Sequence, residues 1–374
     1  MNLTYGLIPV LFVLVGMMVA WLATWRLLAL RSRNYPRWHK ATEGMVLSLL
    51  ALAALAVSCS SAYNAVMLYR FRHSPPGQTF LVNGHAMRID CSGSGSPAIV
   101  LDAGLGNDGL IWGRVQPALA KTTRVCSYDR AGFGWSDALP PPRDADHIAA
   151  ELHGLLAEAQ VTGPIVLMGH SIAGIYMRDY ATRYPENVAG LIFVDGSSPL
   201  QNRNPAFKAH SNSRPPSWFQ TLWKKATFAV GIPRLLGECS DSLPGFEPHA
   251  AQLQAEDQCH DRSAAVAAEL ESFDRSGEET VHTGPYGTLP ILIFSQDPAR
   301  TAQIQTMDVV TAWNQMQEDL KQLSTRSRRI IAKGSTHYVQ GDRADLIERV
   351  VPQFIEQIRG TAPQPTDYGS TRTN

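Results

Sequence analysis

Residues 164–174, Pro-Ile-Val-Leu-Met-Gly-His-Ser-Ile-Ala-Gly, leave a chain few ways to fold around them. The apolar run from Ile165 to Met168 is too short for a helix and suits a strand covered on both faces. Ile175, Tyr176, Met177 and Tyr180 then recur at helical spacing until Pro185 ends the pattern. At the junction the small residues Gly169, Ala173 and Gly174 let the backbone turn sharply, with Ser171 at the apex and the N-terminus of the coming helix behind it. A serine on such a turn is placed for nucleophilic attack. The same residues also describe an ordinary glycine-rich turn with a capping serine, so the rest of the chain has to discriminate.

Upstream, Thr79 to Val82 and Ala86 to Cys91 flank Asn83-Gly84, a two-residue hairpin signal. Ala98 to Leu101 and Thr123 to Tyr128 read as strands, and Leu110 to Ala120 as helical. Asp144 to Ala159 is a helix with Ile148, Leu152, Leu155 and Leu156 on one face, and Val188 to Val194 is the next strand. Residues 197–287 break the rhythm and are expected to form a helical cap insertion, with aromatic pieces at Trp218, Phe219, Leu222, Trp223 and Phe228. Alternation resumes with strands at Leu289 to Phe294 and Arg328 to Ala332 and helices at Thr306 to Leu323 and Ala344 to Ile358. The polar tail 360–374 is predicted to be disordered. A hairpin followed by this alternation predicts a mostly parallel sheet with helices on both faces, built from 73–196 and 288–359.

The front of the chain is of another kind. No charged residue occurs from Met1 to Trp25 or from Gly44 to Tyr69, and each run exceeds the roughly 20 residues that cross a bilayer. Residues 1–72 are therefore predicted to be a membrane anchor of two transmembrane helices. Arg26, Arg31, Arg33, Arg37 and Lys40 lie between the runs, and only Arg70 and Arg72 follow the second. The positive-inside rule then makes the connecting loop cytoplasmic and the large domain extracytoplasmic. Cys59 falls inside the second run. The other four cysteines, Cys91, Cys126, Cys239 and Cys259, permit two disulfides in any of three pairings, or four buried thiols. The balance of 33 basic against 33 acidic residues gives no sign of nucleic-acid binding, and no metal-ligand cluster or nucleotide-binding loop calls for a cofactor.

A serine nucleophile needs a base within hydrogen-bond reach and an acid that orients it. His337, in the loop after the last predicted strand, is the expected base. Two aspartates close strands ahead of it, and Asp297 is preferred over Asp195 as the acid. Backbone N–H groups of Ile172 and of Leu105, in the turn Ala103-Gly104-Leu105-Gly106, are the expected oxyanion donors.

With these positions in hand the chain resembles the α/β-hydrolase fold superfamily, in its serine-nucleophile branch. The resemblance is carried by Gly169-His170-Ser171-Ile172-Ala173-Gly174 and by Tyr128-Asp129-Arg130-Ala131-Gly132-Phe133-Gly134-Trp135-Ser136, similar to that family's D-x-R-G-x-G-x-S loop, and covers about residues 79 to 359. Its strand order implies that Cys91 faces Cys126, which leaves Cys239 for Cys259. It departs from the family at Ala173, where glycine is commoner, and at Asp102-Ala103-Gly104, where many members have His-Gly. The resemblance implies an esterase- or lipase-like enzyme acting on a small-molecule ester or a lipid through an acyl-enzyme. An acyltransferase, a peptidase, a C–C bond hydrolase and a non-catalytic binding protein share the scaffold. The aromatics of the insertion would either shield an apolar acyl pocket or pack the cap onto the sheet. The sequence leaves oligomeric state open.

Overall fold

The computed structural model describes residues 3–207, 217–240 and 245–360. The chain forms two compact units. One gathers the described residues within Met1–Ser74, Arg214–Ser242 and Gln252–Asp261, and the other holds the remainder. The residues of the expected insertion are thus divided between the two. The tail beyond residue 360 lies outside the described residues.

The larger unit is built on eight strands: β1 (Gln78–Val82), β2 (His85–Ser92), β3 (Ala98–Asp102), β4 (Val125–Tyr128), β5 (Ile165–His170), β6 (Val188–Val194), β7 (Ile291–Ser295) and β8 (Ser327–Ile331). They lie in the order β1-β2-β4-β3-β5-β6-β7-β8. β1 and β2 pair antiparallel across the Asn83-Gly84 turn, both of whose residues have positive φ, as a type I′ turn requires. β2 meets β4 antiparallel, and every later pairing is parallel. The predicted mostly parallel α/β sheet is therefore the architecture found. Cys91 stands directly opposite Cys126 in the β2–β4 register, and the two are joined by a disulfide.

In the smaller unit α1 (Leu3–Ser32) and α2 (Arg37–Arg72) form an antiparallel pair. Gly16 allows the close approach, because a Cβ there would lie 2.7 Å from the Ala54 carbonyl oxygen, and the Ser58 hydroxyl donates to Val13 O at 3.2 Å. Arg26 and Glu43 close the pair at the loop end with a 2.7 Å ion pair. Many large apolar side chains of both helices, among them Leu14, Trp21, Leu49 and Leu52, point outward.

Further helices among the described residues are α3 (Gln116–Leu119), α4 (Ala145–Glu158), α5 (Ala173–Arg183), α6 (Trp218–Val230), α7 (Ile232–Leu235), α8 (Pro248–Asp257), α9 (Ser263–Glu271), α10 (Phe273–Thr280), α11 (Pro298–Thr301), α12 (Met307–Asp319), α13 (Val339–Asp342) and α14 (Ala344–Arg359). The helix expected over 110–120 is instead a 3-10 turn, Gly109–Trp112, followed by α3, with Pro117 in the first turn of α3. α4 begins where Asp144 accepts the His147 N–H, and it packs on the sheet through Ala149, Leu152, Leu155 and Leu156, while Ile148 joins the cluster of Ile175, Tyr176 and Phe273. α10 packs on α4 and α5. In the smaller unit Cys239 is joined to Cys259. Of the α6 residues named above, Trp218, Phe219, Leu222 and Trp223 are exposed and Phe228 is half-buried.

Candidate active site

β5 is buried along its whole length and sets the position of everything at its carboxyl end. The chain leaves it through Ser171, whose φ of 55° lies in the left-handed region, a strained choice for a residue with a Cβ. The strain is held by neighbours. Ser171 N–H donates to Val194 O at 3.2 Å, and its carbonyl accepts from Ser197 N at 2.8 Å and Gly174 N at 2.9 Å. The flanking small residues are required by packing: a Cβ at Gly169 would lie 2.8 Å from Met177 Sδ, and one at Gly174 would lie 3.2 Å from Gly196 Cα. Ile172 follows as the N-cap of α5.

The turn after β3 closes against this serine. A Cβ at Gly104 would lie 2.6 Å from His170 Nδ1 and 3.3 Å from Ser171 Cβ, so only glycine fits. Leu105 packs against the cluster that contains Ile172, Ala173 and Tyr176. Arg130 fastens the β3 turn from beneath. Its guanidinium donates to Asp102 Oδ1 at 2.7 Å, Ala103 O at 2.5 Å and Gly104 O at 3.0 Å, and to both carboxylate oxygens of Glu269 at 2.7 and 3.0 Å. All three charged side chains are buried. Burial opposes the arginine's charge, but Glu269 and Asp102 outweigh it and hold its pKa well above the ordinary value. Burial also lifts the Asp102 carboxyl, and Arg130 pulls it back. Asp129, in the same loop, accepts from Arg88 Nη1 at 3.0 Å, Gly109 N at 2.8 Å and Trp135 N at 3.1 Å. The second sequence motif thus does scaffolding work, and the arginine's grip on the β3 turn was not foreseen.

His337 lies in the loop after β8. His170 Nε2 is 2.9 Å from the His337 carbonyl oxygen, and the two rings are 4.6 Å apart, so the loop rests on the residue that precedes Ser171. His170 Nε2 is therefore the protonated nitrogen, and Nδ1 is buried without a partner. Burial first, and His337 second, push the His170 pKa well below the usual range, so this ring stays neutral at neutral pH.

The acid beside His337 is Asp195, which corrects the preference for Asp297. His337 Nδ1 is 2.6 Å from Asp195 Oδ2. Asp195 is 0% exposed, and its Oδ1 accepts from Gln296 N at 2.9 Å and from Trp313 Nε1 at 3.0 Å. Its φ of 49° turns the carboxylate off the end of β6 toward the histidine. Asp297 sits one strand farther on and faces outward: it caps α11 through Ala299 N at 3.0 Å and accepts Gly334 N at 2.8 Å. It braces the histidine loop without reaching the ring. Trp313 on α12 completes the acid's surroundings, 5.4 Å edge-on to His337. In the sequence it carries no mark beyond an apolar position on a helix face.

A family model described as the alpha/beta hydrolase family matches residues 99–350. Over 290 residues the chain is 25% identical to an AB hydrolase superfamily protein of Gibberella zeae, covering 70% of this chain and 87% of that one. An uncharacterized protein of Schizosaccharomyces pombe is 43% identical over 84 residues, 22% of this chain. The chain spans only 16% and 15% of the length of the first two curated relatives it matches. Among solved structures, a thermophilic esterase from Thermogutta terrifontis superposes with a TM-score of 0.52 at 17% identity, covering 76% of this chain and 99% of that one. At that identity the likeness is one of fold.

Proposed function

Because the chain belongs to the alpha/beta hydrolase family, we propose that it is a membrane-anchored serine hydrolase that cleaves a carboxylic ester, or a related acyl bond, through Ser171, His337 and Asp195. The observation that carries this reading is the 2.6 Å contact between His337 Nδ1 and a buried carboxylate that two further donors already hold. An ionised Asp195 takes the Nδ1 proton as a hydrogen bond and leaves the Nε2 lone pair as the base. Ser171 Oγ then loses its proton to Nε2 and attacks the acyl carbonyl. The oxyanion is received by the backbone N–H groups of Ile172 and Leu105, and Arg130 holds the turn that carries Leu105 through the carbonyls of Ala103 and Gly104. Collapse returns the proton to the leaving alcohol, and a water activated by the same imidazole releases the acid. The serine nucleophile favours acyl chemistry over the aspartate-based dehalogenase and epoxide-hydrolase branches.

In this reading α1 and α2 cross a membrane and residues 197–287 act as a cap. The substrate is a small ester or a lipid. The surplus of basic residues between the two helices supports an extracytoplasmic catalytic domain, as do the two cystine bridges, which suit an oxidising compartment. Labelling of the membrane-embedded protein with a fluorophosphonate probe tests the assignment. Wild type is expected to label, and Ser171→Ala and His337→Ala are expected not to. Turnover retained by Ser171→Ala would overturn it.

A further inference from the structure

We propose that α6 lies in the plane of a lipid bilayer, with its aromatic face among the acyl chains, beside the point where α2 leaves the membrane. The inference rests on the reading of α1 and α2 as membrane-spanning. Trp218, Phe219, Leu222, Trp223, Ala226, Ala229 and Val230 share one side of the helix at 3.6 residues per turn, and Gln220, Thr221, Lys224 and Thr227 occupy the other. The two ends of the apolar stripe meet different surroundings. Ala229, at its C-terminal end, is buried where α6 packs on α1 and α2. At the N-terminal end Trp218, Phe219, Leu222 and Trp223 are 77%, 60%, 56% and 64% exposed, too open for side chains of this size to face water without cause.

The depth of the contact identifies what covers them. Twenty residues of helix rise about 30 Å, the thickness of the hydrocarbon core. Counted from Gly44, where the charge-free run of α2 begins, that rise ends at Tyr63. Ser60 and Asn64, which flank this level, are the residues that hold α6: Ser60 Oγ donates to Val230 O at 2.6 Å, and Asn64 Nδ2 donates to Phe228 O at 2.8 Å. Two polar side chains that would be costly in a lipid-facing run are satisfied by carbonyls of the last turn of α6. Gly231, at φ 81°, ends the helix where a Cβ would lie 2.9 Å from Asn64 Cβ. α6 is thereby fixed at the membrane–water boundary. Its composition suits that place: tryptophans, two lysines and no acidic side chain, with Lys224 Nζ 5.8 Å from the Phe228 ring. Leu235 and Leu236, 70% and 72% exposed, add apolar surface just beyond.

The test uses the full chain carrying Cys59→Ser, reconstituted in nanodiscs of phosphatidylcholine and phosphatidylglycerol. Single cysteines at Phe219→Cys, Leu52→Cys and Ile304→Cys carry an environment-sensitive fluorophore. The native positions of all three are exposed, so the label perturbs no core. The label at 219 is expected to be quenched by nitroxide lipids as strongly as that at 52, and by aqueous iodide about fivefold less than that at 304. Iodide access at 219 equal to that at 304, with 52 still quenched by lipid, would overturn the proposal and leave the anchor intact. Protection of 219 from both quenchers would put protein on this face and also overturn it. Failure of lipid to quench 52 would overturn the anchor reading, and this inference with it.

Discussion

The turns after β6 and β7 each carry an aspartate near the carboxyl end of a buried parallel strand, Asp195 directly after β6 and Asp297 two residues after β7, and the two carboxylates work in opposite directions. Asp195 is sealed inside, with three donors and a left-handed backbone that aims it at His337. Asp297 looks outward and spends its oxygens on backbone N–H groups, one at the start of α11 and one at Gly334 in the histidine loop. The first orients the imidazole, and the second holds the segment that carries it. A third grip comes from His170 on the His337 carbonyl. One loop is thus held at its ring, at its backbone ahead of the ring and at the ring's own peptide.

The comparison breaks most visibly at Asp195. Asp195→Asn should lower kcat by roughly 10³–10⁴-fold, because an amide can donate to Nδ1 and stabilise the wrong tautomer. The check is ester turnover beside an unchanged fold by circular dichroism. If Asp297→Asn shows that loss and Asp195→Asn does not, the two roles are reversed. Asp297→Ala is expected to act on stability instead, costing about 2–3 kcal/mol for a lost cap and a lost charge-assisted hydrogen bond. Thermal unfolding of the variant measures it, with kcat staying within about threefold of wild type.

The smallest effect concerns His170. Its folded pKa lies below the unfolded value near 6.5, so above that pH both states are neutral and the group contributes no pH dependence. As pH falls below about 6.5 the unfolded chain binds the proton first, and stability drops by at most about 1.4 kcal/mol per pH unit until the folded ring titrates. His170→Gln retains a donor for the His337 carbonyl and is expected to flatten this acid-side slope. Unfolding midpoints at pH 8 and pH 5 for both proteins read the difference, and parallel slopes would place the titration elsewhere.

Local signals were legible where a few neighbouring residues dictate the backbone. Asn83-Gly84 specifies a tight hairpin through two positive φ values, and Ile165 to Gly174 specifies a strand, a sharp turn and a helix through burial and small residues. Trp313 and Glu269 were not legible as parts of the site. Each reaches it from a helix remote in sequence, and nothing near either residue marks where its side chain ends.

What the sequence determined by itself is the alternation that makes a parallel sheet, the serine at its apex, the histidine after its last strand and two apolar runs too long for an ordinary core helix. These follow from period, length and turn chemistry, which act over a few residues. Tertiary structure alone decided which aspartate meets His337, because that depends on the stagger of β6 against β7 and on Trp313 arriving from α12. It also decided the use of the apolar stripe on α6. Periodicity requires that such a face be covered, but only the packing of Val230 and Phe228 against Ser60 and Asn64 fixes where the uncovered part is presented.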